Sequence, residues 1–259
     1  LVGSEMCIRD RFLNIAVSIS AACLTYAVCL HMAELLLHVS AVHEAGYICS
    51  MLFIIPGFPF ITSGIDLAKL DLRSGLERLT YSIIIVLVAT MFAWIMALLL
   101  KLQPQDFVAL HLGSMMHLVL RLIASFCGVF GFSIMFNSSV YIAATAACIG
   151  AVANTLRLEL VDYTGLPSAA AAFIGALTAG LLASIIKRNH GYPRISLTVP
   201  SIVIMVPGLY LYRAIYNFGI MSLTEAVLWF AAAIMIIVSL PLGLIFARIL
   251  TDRTFRYCS

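Results

Sequence analysis

The sequence predicts an all-α fold: a polytopic helical membrane protein with about eight transmembrane helices, arranged as inverted five-helix repeats. Three observations predict it. Hydrophobic residues make up 63% of the 259 positions and charged residues only 10%, with a mean hydropathy of +1.09. A soluble domain carries about 25% charged residues, so this chain has too few charges to cover a water-facing surface. Second, the apolar residues gather in runs of about 20, the length that crosses a bilayer as a helix. Third, a Pro-Gly pair interrupts two of these runs, at Pro56-Gly57 and Pro207-Gly208.

Eight spans follow, at 12–33, 46–65, 81–100, 118–136, 139–156, 166–186, 197–215 and 225–247. They must be helices, because lipid offers no partner to an unpaired backbone group and nothing here alternates as a barrel strand would. The leading stretch LVGSEMCIRDR (1–11) has neither an apolar period nor the pattern of a signal peptide. It resembles translated sequencing-adapter read-through, so 1–11 are set aside as an artefact and the true N-terminus is expected upstream. The first span ends in HMAELLLH, which places His31, Glu34 and His38 on one helical face. A wet membrane boundary is the preferred reading of that trio over a proton relay or metal site. The second span holds IIPGFPFITSGID (54–66), and the charged, amphipathic DLAKLDLRSGLERL (66–79) is expected to lie on the inner surface before the third span. Arg121 sits at the edge of the fourth span and reads as a snorkelling cation. An Asn-Ser-Ser turn at 137–139 separates the fourth and fifth spans. Ala171, Gly175, Ala176 and Gly180 in the sixth read as close helix packing. Residues 253–259 are a cytoplasmic tail.

Lys and Arg fall unevenly between the two sides. Arg9, Arg11, Lys69, Arg73, Arg78, Lys187, Arg188, Arg194, Arg248, Arg253 and Arg256 lie on one, and Lys101, Arg121, Arg157 and Arg213 on the other. The first side is therefore read as cytoplasmic, with both chain ends on it. A net charge of +3 with no basic block gives no reason to invoke nucleic acid. The seven cysteines form no CxxC pair and read as small apolar residues within the spans. No metal and no cofactor is implied. HExxH and GxSxG are absent, so the chain is not read as an enzyme.

Pro207-Gly208 follows Pro56-Gly57 by 151 residues. At that shift the first span falls on the sixth and the third near the eighth, as in an internal duplication. Five helices separate the copies, so equivalent helices cross in opposite senses. That is the inverted repeat of secondary transporters. Spans 46–65 and 197–215 are then expected to be antiparallel neighbours. Proline removes an N–H and glycine frees the backbone, so each helix breaks at mid-membrane, which is tolerated where the break is buried or lines a wet cavity. A packing kink is the plain alternative; two copies at matching positions favour a substrate and ion pathway. Its candidate residues are Pro56, Gly57, Pro59, Thr62, Asp66, Asn154, Pro207, Gly208 and Arg213. Asp66 is a proton carrier or a partner for a substrate ammonium. Arg213 suits a substrate carboxylate. Asn154 either lines the path or caps a helix contact.

At these residues the chain resembles the threonine/serine exporter family of bacterial inner-membrane transporters. IIPGFPFITSGIDLAKLDLRSGLERL is similar to that family's N-terminal membrane module; FGFSIMFN and TVPSIVIMVPGLYLYR are similar to its C-terminal module. The resemblance implies about ten spans in the complete protein, with 12–105 as the last three spans of the N-terminal module and 106–252 as the five-span C-terminal one. It implies export of small amino acids, threonine and serine, across the inner membrane, driven by the proton-motive force. The expected partners are the amino-acid substrate, a coupling proton and the lipid bilayer; homo-oligomerisation is left open. A dicarboxylate exporter and a non-transporting membrane subunit are the alternatives.

Overall fold

The computed structural model describes residues 2–37, 45–52, 56–100 and 113–252. Residues 53–55 of the second expected span, His38, Lys101 and the tail 253–259 lie outside the described residues. Every regular element described is an α-helix: α1 Val2–Leu37, α2 Ala45–Leu52, α3 Gly57–Ala68, α4 Leu72–Leu99, α5 Ser114–Met135, α6 Val140–Thr164, α7 Ser168–His190, α8 Arg194–Val203, α9 Gly208–Gly219 and α10 Leu223–Thr251. Among the described residues six helices are long and apolar enough to cross a membrane: the α1 segment Phe12–Leu36, α4, α5, α6, the α7 segment Ser168–Lys187 and α10. The pair α8 and α9 qualifies as a seventh, broken span. The second expected span falls on α2 and α3. The outward faces of the long helices stay apolar, as at Leu13 and Val17 of α1, Val119 and Ile123 of α5, and Leu228 and Met235 of α10. Such helices expose to lipid what a soluble protein would bury.

The chain forms two compact units, and each Pro-Gly pair is a place where it changes unit. Unit 1 comprises Leu1–Pro56, Thr80–Leu110 and Gly208–Ala233; unit 2 comprises Gly57–Leu79, His111–Pro207 and Ile234–Ser259. In unit 1, Ile19 and Cys23 of α1, Tyr47 and Ile48 of α2, Ala89, Ala93 and Ala97 of α4, and Tyr212 of α9 make one buried cluster. The Tyr47 hydroxyl donates to the Ala93 carbonyl at 2.6 Å, which meets the need of a buried phenol for a partner. Here α2 packs on α9.

In unit 2, α5 and α6 form a hairpin closed by Asn137 at φ 62°, and α8 packs against α3, α5, α6 and α7. Small side chains allow the approach. A Cβ on Gly150 would lie 2.9 Å from the Ser201 carbonyl oxygen, and the Ser201 hydroxyl lies 2.9 Å from the Ala146 carbonyl and donates to it. In α7, Ala171, Ala176 and Ala179 are fully buried, and a side chain on Gly180 would run into Ala247 of α10. The small-residue face expected of the sixth span is thus a packing face.

One expectation gains detail and another changes. Residues 66–79 link the second and third expected spans, as anticipated, without forming a helix of their own. The helix α3 continues to Ala68, Leu70 turns the chain at φ 63°, and 72–79 are the first turns of α4. The helical period carries through the charges because Arg73 pairs with Glu77 at i,i+4, 3.2 Å. The fifth span also runs on past 156 to Thr164, for a reason that lies in its charges.

Candidate functional site

The break before Pro207 is the most constrained polar point of unit 2. A helical carbonyl bonds the N–H four residues on, and proline has none to give. The Val203 carbonyl instead accepts from the Val206 N–H at 3.1 Å, and the Ile202 carbonyl from the Met205 N–H at 2.9 Å. The last turn tightens and the carbonyls beyond it leave the ladder. One of them, on the buried Met205, is taken by Arg157 of α6, whose Nη1 donates at 3.3 Å. Gly175 of α7 lets the three elements close: a Cβ there would stand 3.2 Å from the Ala153 carbonyl oxygen, from Arg157 Cβ and from Met205 Sδ.

One helical turn before Arg157, the buried Asn154 donates from Nδ2 to Ser125 Oγ of α5 at 2.9 Å. Its Oδ1, and the hydroxyl of the buried Thr155, have no hydrogen-bond partner among the described residues. Buried polar atoms are nearly always partnered by protein, water or ligand. Among the described residues, α6 therefore carries buried polar atoms without a protein partner.

The start of α3 meets the same break. A Cβ on Gly57 would lie 3.1 Å from Val203 Cγ1 and 3.3 Å from Val206 Cγ2, so this glycine lets the α3 backbone approach the end of α8. Pro59 sits in the first turn of α3, where its missing N–H costs no helical bond. The Thr62 hydroxyl bonds back to the Phe58 carbonyl at 3.1 Å and the Pro59 carbonyl at 3.2 Å. Asp66 lies at the far end of α3, one oxygen 2.9 Å from Arg78 Nη1.

Of the nine candidate residues, unit 2 therefore holds Gly57, Pro59, Thr62, Asp66, Asn154 and Pro207, and brings Gly57 and the stretch before Pro207 together. Pro56, Gly208 and Arg213 belong to unit 1. There the Arg213 guanidinium carbon lies 4.7 Å from the centre of the Trp229 ring, a cation–π contact.

Two modules of the chain match family models. The model described as Threonine/Serine exporter, ThrE, matches residues 121–250. The chain belongs to this exporter family. A second threonine/serine exporter model, ThrE, matches residues 2–101, so the two modules follow one another on a single chain. No match was found among curated proteins or among solved structures. Family membership and the apolar helices agree on a multi-pass membrane protein of exporter type.

Sequence reasoning missed several polar residues of α5 and α6. Arg157 read as a cation beyond the end of a span, and Ser125 and Thr155 were unremarked. A continuing helical period from Asn154 through Arg157 was the available signal. Arg121 is no snorkelling cation: it pairs with Glu159 at 3.0 Å and with Asp162, because the longer α6 brings both carboxylates opposite it. His31 and Glu34 are exposed, 3.6 Å apart. Among the described residues no cluster of three metal-binding side chains occurs.

Proposed function

We propose that the protein exports small amino acids, threonine and serine, across the bacterial inner membrane in exchange for the energy of the proton gradient. The observation that carries the reading is the break before Pro207. There a mid-span carbonyl is held by Arg157 of α6, the helix that also carries an Asn154 oxygen and a Thr155 hydroxyl with no partner among the described residues. Broken helices at corresponding places of two repeats are where secondary transporters put substrate and ion sites. The inverted repeat rests on the 151-residue shift between the two Pro-Gly pairs and on the odd number of helices between the copies. Within unit 2, α3 packs on α8; within unit 1, α2 packs on α9. Lys and Arg density supports cytoplasmic ends.

In this reading Asn154 and the freed carbonyls line the path, Arg213 serves a substrate carboxylate, and Asp66 carries a proton or meets the substrate ammonium. Efflux from amino-acid-loaded cells expressing the protein tests it, with succinate-loaded cells alongside. Threonine efflux above the vector control is expected, falling severalfold in Asp66→Asn and unchanged in Glu34→Gln, whose parent residue is exposed beside His31. Equal rates in both variants at matched expression count against Asp66. Efflux of succinate but not of threonine would make the substrate a dicarboxylate. Transport only with a second membrane chain would make this one a subunit.

A further inference from the structure

A second polar feature of unit 2 lies away from the Pro-Gly break. The ends of α3, α7 and α10 and the start of α8 enclose a cavity of about 250 Å³. Among the described residues, Lys69, Lys187, Arg194 and Arg248 line it, against the single carboxylate of Asp252. Arg248 lies 3.7 Å from that carboxylate. Arg194 gives its two terminal nitrogens to neutral acceptors, Thr251 Oγ1 at 3.2 Å and the Gly180 carbonyl at 3.3 Å, which fix the guanidinium without neutralising it. Four cations against one anion leave the cavity three positive charges in excess. The rest of the wall is Thr198, whose hydroxyl donates to the Arg194 carbonyl at 3.0 Å, and four apolar residues, Ile65, Ile195, Leu244 and Ile245, with Ile195 53% exposed.

We infer that this cavity binds the phosphate headgroup of an anionic phospholipid, with the acyl chains running along the apolar wall. A zwitterionic amino acid matches poorly, since its ammonium would meet four cations and a single carboxylate. A soluble anion would gain nothing from the exposed isoleucine. A headgroup phosphate uses both halves. The cavity also gathers side chains from the Lys- and Arg-rich side of the chain, where basic pockets between membrane helices take acidic headgroups.

The test is lipid retention by the purified protein in nonionic detergent, read by native mass spectrometry during titration with phosphatidylglycerol or phosphatidylcholine. Inorganic phosphate is the third arm. Phosphatidylglycerol is expected to be retained in preference to phosphatidylcholine. The double variant Lys69→Gln/Lys187→Gln should weaken its retention about fivefold per lysine, roughly 25-fold in all. Both lysines are exposed, so the fold should survive the change. Arg73→Gln is the control, an exposed cation outside the cavity whose side chain pairs with Glu77, and should leave retention unchanged. The inference is overturned by equal retention of the two lipids, by an unaltered double variant, or by a loss in Arg73→Gln as large as in the double variant. Displacement of bound phosphatidylglycerol by millimolar inorganic phosphate would also overturn it, reassigning the cavity to soluble anions.

Discussion

Glycine decides how closely the broken elements approach. Gly57 accommodates Val203 and Val206, whose Cγ atoms would stand 3.1 and 3.3 Å from a Cβ there. Gly64, two turns further along α3, is a harder case, because a side chain there would run into the Pro241 ring of α10. A proline ring cannot rotate away, and overpacking of this kind costs about 1–3 kcal/mol. Gly64→Ala should therefore lower the thermal unfolding temperature in detergent. Gly131→Ala is the matched control: among the described residues nothing lies within 4 Å of a Cβ at that α5 position. It should be neutral or stabilising by up to about 1 kcal/mol through helix propensity alone. Equal unfolding temperatures for the two variants would mean that α3 and α10 do not meet at Gly64.

At the scale of elements, most helices were legible because lipid imposes length and polarity on each one separately. The break before Pro207 was legible too, since proline acts on its own helix; residues 53–55, before Pro56, lie outside those described. Features that depend on a partner element were not. The run from Arg157 to Asp162 looks too polar for a span, and hydropathy ended the helix at 156. Its charges are answered from another helix by Arg121, which lies 3.0 Å from Glu159 and also contacts Asp162. The same reason hid Arg157, whose acceptor is a carbonyl 48 residues away in sequence. The side chains of Arg121 and Glu159 are 18% and 20% exposed, so removing one strands a largely buried charge. Arg121→Gln is expected to destabilise the protein by about 1–3 kcal/mol, between the cost of an exposed pair and that of a buried one. A double-mutant cycle with Glu159→Gln should show a favourable coupling, visible as a double variant less damaged than the sum of the singles. Additive losses would mean that the pair does not hold α5 to α6.

At the scale of the whole molecule the question is the source of energy for uphill export. The sequence contains no GxxxxGK[ST] loop, the motif that cradles nucleotide phosphates in P-loop proteins. An ion gradient is the natural alternative for a chain whose spans carry few ionisable groups. Moving one elementary charge across the membrane is worth about 2.3 kcal/mol per 100 mV, and 1.4 kcal/mol is a factor of ten. One proton per substrate thus sustains roughly a 50-fold concentration ratio at that potential, enough to clear an amino acid from the cytoplasm. A protonophore should therefore abolish uphill threonine efflux when cellular ATP is held constant, while downhill efflux continues. Uphill efflux that survives the protonophore and stops on withdrawal of sodium would make sodium the coupling ion. Efflux that never exceeds the downhill rate, with or without a gradient, would make the protein a passive channel, and Asp66 would then have no proton to carry.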